Sequence, residues 1–131
     1  MTKQEKLELR EKLILENARE IVKNDGIFEF KMSTIAKVSK ISIGTLYMHF
    51  LSKEDVIIGL ACDVIKDLQC FFRQTNEFDF TNKQKLLAFT FASHIRRSKD
   101  NFICELEQLV TNISVRNRAS KQRTKEHDEL I

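Results

Sequence analysis

Residues 42–50, SIGTLYMHF, bring together side chains that can donate hydrogen bonds to anions. Thr45 and Tyr47 carry hydroxyl groups and His49 carries a ring nitrogen, and such donors commonly bind phosphate oxygens. Gly44 has no side chain, so a neighbouring molecule can approach the backbone closely at that position. The chemistry that this stretch favours is therefore contact with a polyanion.

Positive charge is concentrated around the same stretch. Residues 30–53 contain four lysines and no acidic residue, although the net charge of the whole chain is only +3. The four are Lys31, Lys37, Lys40 and Lys53. Such a local excess favours an anionic partner such as nucleic acid, although a solvated loop region can have the same composition.

The rest of the sequence offers no candidate for catalysis or for metal binding. It has no paired carboxylates in a supporting context, no nucleophile motif and no glycine-rich phosphate loop. Cys62, Cys70 and Cys104 lack metal-type spacing, and neither His94 nor His127 has a partner at ligand spacing. We therefore expect no enzyme, no metal and no cofactor.

Localisation is predicted from the cysteines and from the absence of apolar segments. The first twelve residues, MTKQEKLELREK, lack the apolar core of a signal peptide. No stretch approaches the roughly 18 apolar residues that a membrane span needs, so we expect no membrane partner. An odd number of unpaired cysteines fits a reducing cytoplasm.

Helical periodicity and the absence of proline predict an all-α chain. Gly26 is a suitable left-handed residue to end the first helix. Ser42 and Ser52 are suitable N-caps, the latter in a capping box with Asp55. The predicted helices are 4–24, 32–39, 43–50, 52–74, 82–97, 101–117 and 120 onwards.

Residues 32–50 thus contain two short helices joined by a tight turn, the pattern of a helix-turn-helix unit. Such a unit places its second helix in the major groove of DNA, with its first residues against base edges. Leu46 and Phe50 lie one turn apart and are predicted to face inward. The predicted outward residues are Ile43, Gly44, Thr45, Tyr47, Met48 and His49.

At these residues the chain resembles the tetracycline-repressor (TetR) family of bacterial regulators. The resemblance is specific over about residues 10–56. It implies a helix-turn-helix DNA-binding head at 1–51 and a helical ligand-binding and dimerisation domain at 52–131, which we expect to be incomplete. The matching segments are Ile35-Ala36, Ser39-Lys40-Ile41-Ser42, Gly44-Thr45-Leu46-Tyr47, His49-Phe50 and Ser52-Lys53-Glu54-Asp55.

The resemblance also implies which residues touch DNA. The hydroxyl, ring and ammonium groups are expected to contact phosphates. Ile43 and Met48 stand at the positions that determine which DNA sequence is bound. An aliphatic Ile43 can contact thymine methyls but cannot read guanine. Lys40 replaces the usual turn glycine, where a left-handed residue costs about 1 kcal/mol. The predicted DNA-binding residues are Ser33, Thr34, Lys40, Ser42, Ile43, Gly44, Thr45, Tyr47, Met48, His49 and Lys53.

Other interpretations of three of these residues stay open. Tyr47 fits a half-buried position in a helix bundle, His49 an exposed position without a role, and Lys53 a solvated helix start. A cation at a helix N-terminus is unfavourable without an anion, which favours the functional interpretation of Lys53.

The implied function is a ligand-responsive transcriptional repressor that acts as a homodimer on a palindromic operator. Its partners would be double-stranded DNA and a small-molecule effector. The phenylalanines of the second domain fit the lining of an effector pocket, and a packed hydrophobic core explains them equally well. The alternative is a shortened helical interaction module without DNA-binding function of its own. The phenylalanines of the second domain are Phe71, Phe72, Phe89, Phe91 and Phe102.

Overall fold

The computed structural model of the chain describes residues 1–99 and 101–131, and all of their regular structure is helical. The predicted all-α fold class is therefore confirmed. The helices are α1 (Lys3–Asp25), α2 (Met32–Val38), α3 (Ile43–His49), α4 (Lys53–Asn76), α5 (Asn82–Lys99), α6 (Asn101–Val110), α7 (Ile113–Arg118) and α8 (Lys121–Leu130).

Both ends of α1 are fixed by local chemistry. Thr2 Oγ1 accepts from the Glu5 amide, and the Glu5 carboxylate accepts from the Thr2 amide, which forms a reciprocal capping box. At the other end Gly26 adopts φ 96° and its amide donates to the Val22 carbonyl oxygen. A positive φ is open to glycine at little cost, so the chain can turn sharply towards α2.

One core joins the first four helices. Ile14 and Ala18 of α1, Ile35 of α2, Leu46 of α3 and Phe50 are all fully buried. Burying each large apolar side chain contributes roughly 1.5–3 kcal/mol. The predicted inward face of the helix-turn-helix unit is thereby confirmed, and it packs on α1.

The start of α4 differs in one detail from the predicted capping box. Ser52 Oγ accepts from the Asp55 amide, as expected, but the Asp55 carboxylate accepts from the Leu51 amide at 3.0 Å. Further along, a Cβ atom on Gly59 would lie 3.0 Å from the Phe50 ring. The glycine therefore lets α4 approach the end of α3 closely.

The remaining helices surround α4, which contacts α5, α6, α7 and α8. The single helix predicted at 101–117 is interrupted, because the Asn112 side chain accepts from the Ser114 and Val115 amides and starts α7 there. No helix in the described residues is long and apolar enough to cross a membrane.

Candidate nucleic-acid interface

The turn between α2 and α3 is closed by a left-handed lysine. Lys40 adopts φ 56° and is the one non-glycine residue with positive φ in the described chain. The Ile41 amide donates to the Ala36 carbonyl and the Lys40 amide to the Lys37 carbonyl, which is the hydrogen-bond pattern of a Schellman motif. The turn keeps the geometry that glycine favours, at a cost of about 1 kcal/mol.

Ser42 is the N-cap of α3, and its hydroxyl makes two contacts. Ser42 Oγ accepts from the Thr45 amide at 3.1 Å and lies 2.8 Å from Thr45 Oγ1. The predicted N-cap is therefore confirmed. The two hydroxyls lie together at the N-terminus of α3, where unpaired backbone amides favour an anion.

The outer face of α3 is apolar and exposed. Ile43 and Tyr47 are each nearly half exposed, and Met48 is 83% exposed. No residue from Ile41 to Ser52 is an arginine, lysine, asparagine or glutamine. These are the residues that usually make bidentate contacts with guanine or adenine, so this helix can offer DNA mainly apolar contacts and hydroxyl groups.

Gly44 lies on the same face, and nothing inside the chain requires a glycine there. A Cβ atom at Gly44 would meet nothing closer than Ser42 Oγ, at 4.0 Å. Glycine within a helix costs about 0.5–1 kcal/mol relative to alanine. The absence of a side chain is therefore unfavourable for the isolated protein and suits a surface that another molecule must approach.

The predicted phosphate-contacting residues of α2 and the turn are accessible. Ser33 and Lys40 are exposed, and Thr34 is partly buried. Lys31 and Lys37 are exposed as well. Positive charge is thus available at the start of α2, along it, and in the turn before α3.

His49 does not share the outer face with Tyr47 and Met48. Its side chain is only 8% exposed, and Nδ1 lies 3.5 Å from Glu11 Oε2 on α1. The expectation that His49 faces outward is therefore wrong for this structure. One step along a helix turns a side chain by about 100°, which carries residue 49 from the groove-facing side to the α1 side.

Lys53 lies at the predicted helix start, but its ammonium group is engaged within the protein. Nζ donates to the Phe28 carbonyl oxygen at 2.9 Å and lies 4.5 Å from the centre of the Phe30 ring. Lys53 therefore holds the loop between α1 and α2 against the start of α4. This contact explains the cation at a helix N-terminus without requiring an anion.

The helix-turn-helix geometry agrees with a comparison against known families. Residues 14–60 match the family described as bacterial regulatory proteins, tetR family. The chain is thus similar to tetR-family regulators over this segment. The match covers α1 from its middle, the helix-turn-helix unit and the first third of α4.

Two relatives extend the likeness beyond these residues. The fatty acid metabolism regulator protein of Bacillus subtilis (strain 168) is 25% identical over 115 residues, covering 82% of this chain and 57% of its own length. A crystal structure of the transcriptional regulator FadR from Bacillus subtilis in complex with stearoyl-CoA matches with a TM-score of 0.64 at 24% identity. That match covers 90% of this chain and 62% of the FadR chain.

The chain therefore spans about three fifths of the length of both relatives. At this level of identity the structural match supports the fold. Both relatives are regulators by name rather than enzymes.

A second candidate site lies outside the helix-turn-helix unit. A cavity of about 370 Å³ opens between α4, α5 and α6. Its lining is apolar at Val64, Leu68, Phe89 and Ile103, and polar or charged at Thr90, Ser93, His94, Arg96, Arg97 and Glu107. The volume falls within the roughly 300–1,000 Å³ of small-molecule sites.

The phenylalanines expected near such a pocket separate into different environments. Phe89 lines the cavity, and Phe102 is buried in the core. Phe72 and Phe91 are exposed, although Phe72 meets Phe89 edge to face at 5.6 Å. Of the five, only Phe89 thus lines this cavity.

Sequence reasoning missed Arg123, which reaches the end of α3. Arg123 Nη2 donates to the His49 carbonyl oxygen at 2.8 Å, from 74 positions further along the chain. Neither the composition nor the helical period of α8 indicates such a contact. Arg123 is buried although α8 is otherwise strongly polar, and only the folded arrangement explains why.

Proposed function

We propose that this chain is a sequence-specific, DNA-binding transcriptional regulator. The observation that carries the proposal is the outer face of α3, where Gly44 is a glycine without an internal reason and Met48 is almost fully exposed. The glycine is unfavourable for an isolated protein, and both features are expected where a helix enters the major groove.

On DNA, the hydroxyl and lysine groups would hold the phosphates. Ser33, Thr34 and Lys40 flank the groove-facing helix, and Ser42 and Thr45 lie at its N-terminus. Backbone contacts of this kind fix the register of the protein on the duplex and carry little sequence information. Tyr47 would add a further hydroxyl on the same face.

Ile43 and Met48 would choose the sequence. Their side chains can contact the C5-methyl group of thymine and offer no hydrogen bond to guanine. We therefore propose that the operator half-site carries thymines under α3, so that A·T pairs are favoured there. Fragments selected from genomic DNA by the purified chain would reveal this preference, and a selected half-site rich in G·C pairs at those positions would contradict it.

Lys40, rather than Lys53, would carry the salt-dependent contact in this arrangement, because Lys53 Nζ is bonded to the Phe28 carbonyl. Lys40→Asn tolerates the left-handed backbone and removes the charge. We expect the slope of log affinity against log salt to fall by about 0.9 in Lys40→Asn. Lys53→Ala should leave the slope unchanged and lower the free energy of unfolding; the reverse pattern would overturn this assignment.

The cavity between α4, α5 and α6 would hold a small-molecule effector, which makes the regulator a ligand-responsive repressor. Its apolar side suits the apolar part of a ligand. Arg96 pairs with Asp67 at 3.6 Å and Arg97 with Glu107 at 3.1 Å, so an anionic group would have to replace these carboxylates as their partner. FadR was crystallised with stearoyl-CoA, which has both an apolar part and an anionic group. If stearoyl-CoA is the effector, adding it should release operator DNA from the wild-type chain, and Phe89→Ala should weaken that release.

The repressor would act as a homodimer in the cytoplasm. A helix of seven residues reads few base pairs, and two heads on half-sites one helical turn apart, roughly 34–36 Å, read a palindrome. Sedimentation of the protein–operator complex should give two chains per duplex. One chain per operator at saturation would contradict the dimer.

A helical interaction module without DNA-binding function is the second candidate. The same exposed apolar face of α3 would then be a protein-binding surface. Binding to mixed genomic DNA at low salt separates the two, because a DNA-binding head retains non-specific affinity that falls steeply with salt. An absence of salt-dependent binding would favour the interaction module.

A further inference from the structure

A buried arginine on α8, Arg123, binds the C-terminal end of α3. Arg123 is only 8% exposed, which is unusual because burying an unpaired guanidinium is very costly. Its partners account for the burial. Nη1 lies 2.6 Å from Glu11 Oε1 on α1 and 3.3 Å from Glu126 Oε2, and Nη2 donates to the His49 carbonyl at 2.8 Å.

These contacts hold three helices at one point. The guanidinium also stacks 4.4 Å from the centre of the Phe50 ring, so it covers the last side chain of the α3 segment while it binds the backbone. Burial lowers the pKa of Arg123, but the carboxylates of Glu11, Glu126 and Asp55 more than reverse this effect and the net pKa is raised. The group is therefore charged at every physiological pH.

The hydrogen bond from Arg123 to the His49 carbonyl is favourable because this carbonyl lies at the C-terminus of α3. The last four carbonyls of a helix have no partner within it, and a cation at a helix C-terminus is favourable. In a helix as short as α3 these carbonyls make up most of the backbone. Arg123 therefore binds the C-terminal end of α3, beside the buried Phe50 ring.

Asp55 makes a second connection between α8 and the end of the α3 segment. It is 1% exposed, its Oδ2 accepts from the Leu51 amide at 3.0 Å, and its Oδ1 accepts from the Ser120 amide at 2.6 Å. One carboxylate thus connects the residue after Phe50 to the N-cap of α8. Any displacement of α8 must break or carry these bonds.

We propose that Arg123 is a positioning residue for DNA recognition, through which α8 sets the orientation of α3. The inference rests on the proposed DNA-binding function and goes beyond it, because it assigns the control of the groove-facing helix to a residue far from DNA. Reading base edges demands a helix held within a fraction of an ångström. A seven-residue helix has few contacts of its own to supply that precision.

The test compares Arg123→Met with a matched control. Methionine keeps much of the stem that covers Phe50 but removes both charge and hydrogen bonds. Arg118→Met makes the same chemical change nearby, at a largely exposed arginine that lies 3.9 Å from Glu54 and is not bonded to α3. Arg123→Lys keeps the charge, but one ammonium group cannot reproduce the planar fork that reaches Glu11 and His49 together.

The fluorescence of Tyr47 measures, without DNA, how firmly α3 is held. It is the only tyrosine, the chain has no tryptophan, and it lies on the outer face of α3. We expect the fluorescence anisotropy of Tyr47 to fall in Arg123→Met, below its unfolding transition, and to stay at the wild-type value in Arg118→Met. A merely stabilising ion pair would change the unfolding transition and leave the anisotropy of the folded protein unchanged.

Operator binding is the second readout. Losing a charged hydrogen bond that positions α3 should weaken operator binding by about tenfold or more, while binding to scrambled DNA at low salt should be unaffected. Arg123→Lys should lie between wild type and Arg123→Met in both readouts. Wild-type anisotropy and wild-type operator discrimination in Arg123→Met would overturn the inference.

The two proposals fail in different ways. If the wild-type chain binds no DNA, the proposed function fails, and the Tyr47 anisotropy still decides whether Arg123 positions α3. If Arg123→Met does not fold, Arg123→Lys decides, because an anisotropy and a discrimination equal to wild type would overturn the inference.

Discussion

The two ends of the short helix α3 differ in how much they contact the rest of the chain. Its C-terminal end is embedded: Phe50 is fully buried, and the His49 carbonyl is bonded to Arg123. Its N-terminal end and outer face are open: Gly44 has free space beside it and Met48 is almost fully exposed. Packing within the chain explains the residue types at one end and leaves those at the other unexplained.

This difference separates residues that hold the helix from residues that the helix presents. Substitution at the embedded end should change stability first and DNA binding as a consequence. Substitution on the outer face should change DNA binding with little or no loss of stability.

The largest effect is expected at Phe50. Phe50→Ala removes a fully buried ring and leaves a cavity, which should lower the free energy of unfolding by about 3–5 kcal/mol. Met48→Ala, two residues earlier, should change it by less than about 0.5 kcal/mol because the side chain is exposed. Urea titrations of both variants make the comparison, and a similar loss for the two would erase the distinction between the ends.

A smaller loss is expected at Gly59, where α4 meets the embedded end. A Cβ atom there would lie 3.0 Å from the Phe50 ring and 3.1 Å from Leu15. Both neighbours are buried, so overpacking should cost about 1–3 kcal/mol, offset by up to about 1 kcal/mol from the better helix propensity of alanine. We expect Gly59→Ala to unfold at lower urea than wild type; a gain in stability would show that Phe50 is free to move.

A pH-dependent effect is expected at His127, on the same helix as Arg123. Burial, and then the Arg116 guanidinium, lower its pKa below the ordinary 6.5, while Asp128 acts in the opposite direction. The unfolded chain therefore binds more protons between the lowered pKa and 6.5. Stability should rise with pH through this window and be lost as pH falls through it.

His127→Gln tests this assignment. The variant should flatten the dependence of the free energy of unfolding on pH just below 6.5, whereas His94→Gln, at an exposed histidine, should leave the slope as in wild type. If His127→Gln retains the full slope, another group is responsible for it.

Much of the head could be predicted from the sequence, because its signals are local. Ser42 and Ser52 cap the helices where expected, and Leu46 and Phe50 are buried as their spacing indicated. Even the left-handed turn appears at its usual place with Lys40 in it. The bonds to the Ala36 and Lys37 carbonyls hold that turn, so the residue type there mattered less than the pattern around it.

The structure departs from the sequence-based expectations where a side chain finds a partner far away in sequence. His49 turns to Glu11 and Lys53 to the Phe28 carbonyl, and neither partner is indicated by residue type or spacing. Arg123 was missed for the same reason. A motif indicates which elements form, and long-range polar contacts decide which of their side chains remain available.

Gly44→Ala tests the central claim most directly, that the outer face of α3 is there for a partner rather than for the fold. The variant should raise the free energy of unfolding by about 0.5–1 kcal/mol, because alanine favours the helix and its Cβ has room. On the same sample, affinity for DNA selected by the wild-type chain should fall by about tenfold, since the added methyl group keeps the backbone from approaching the duplex. A more stable protein that binds the selected DNA as tightly as wild type would contradict the account.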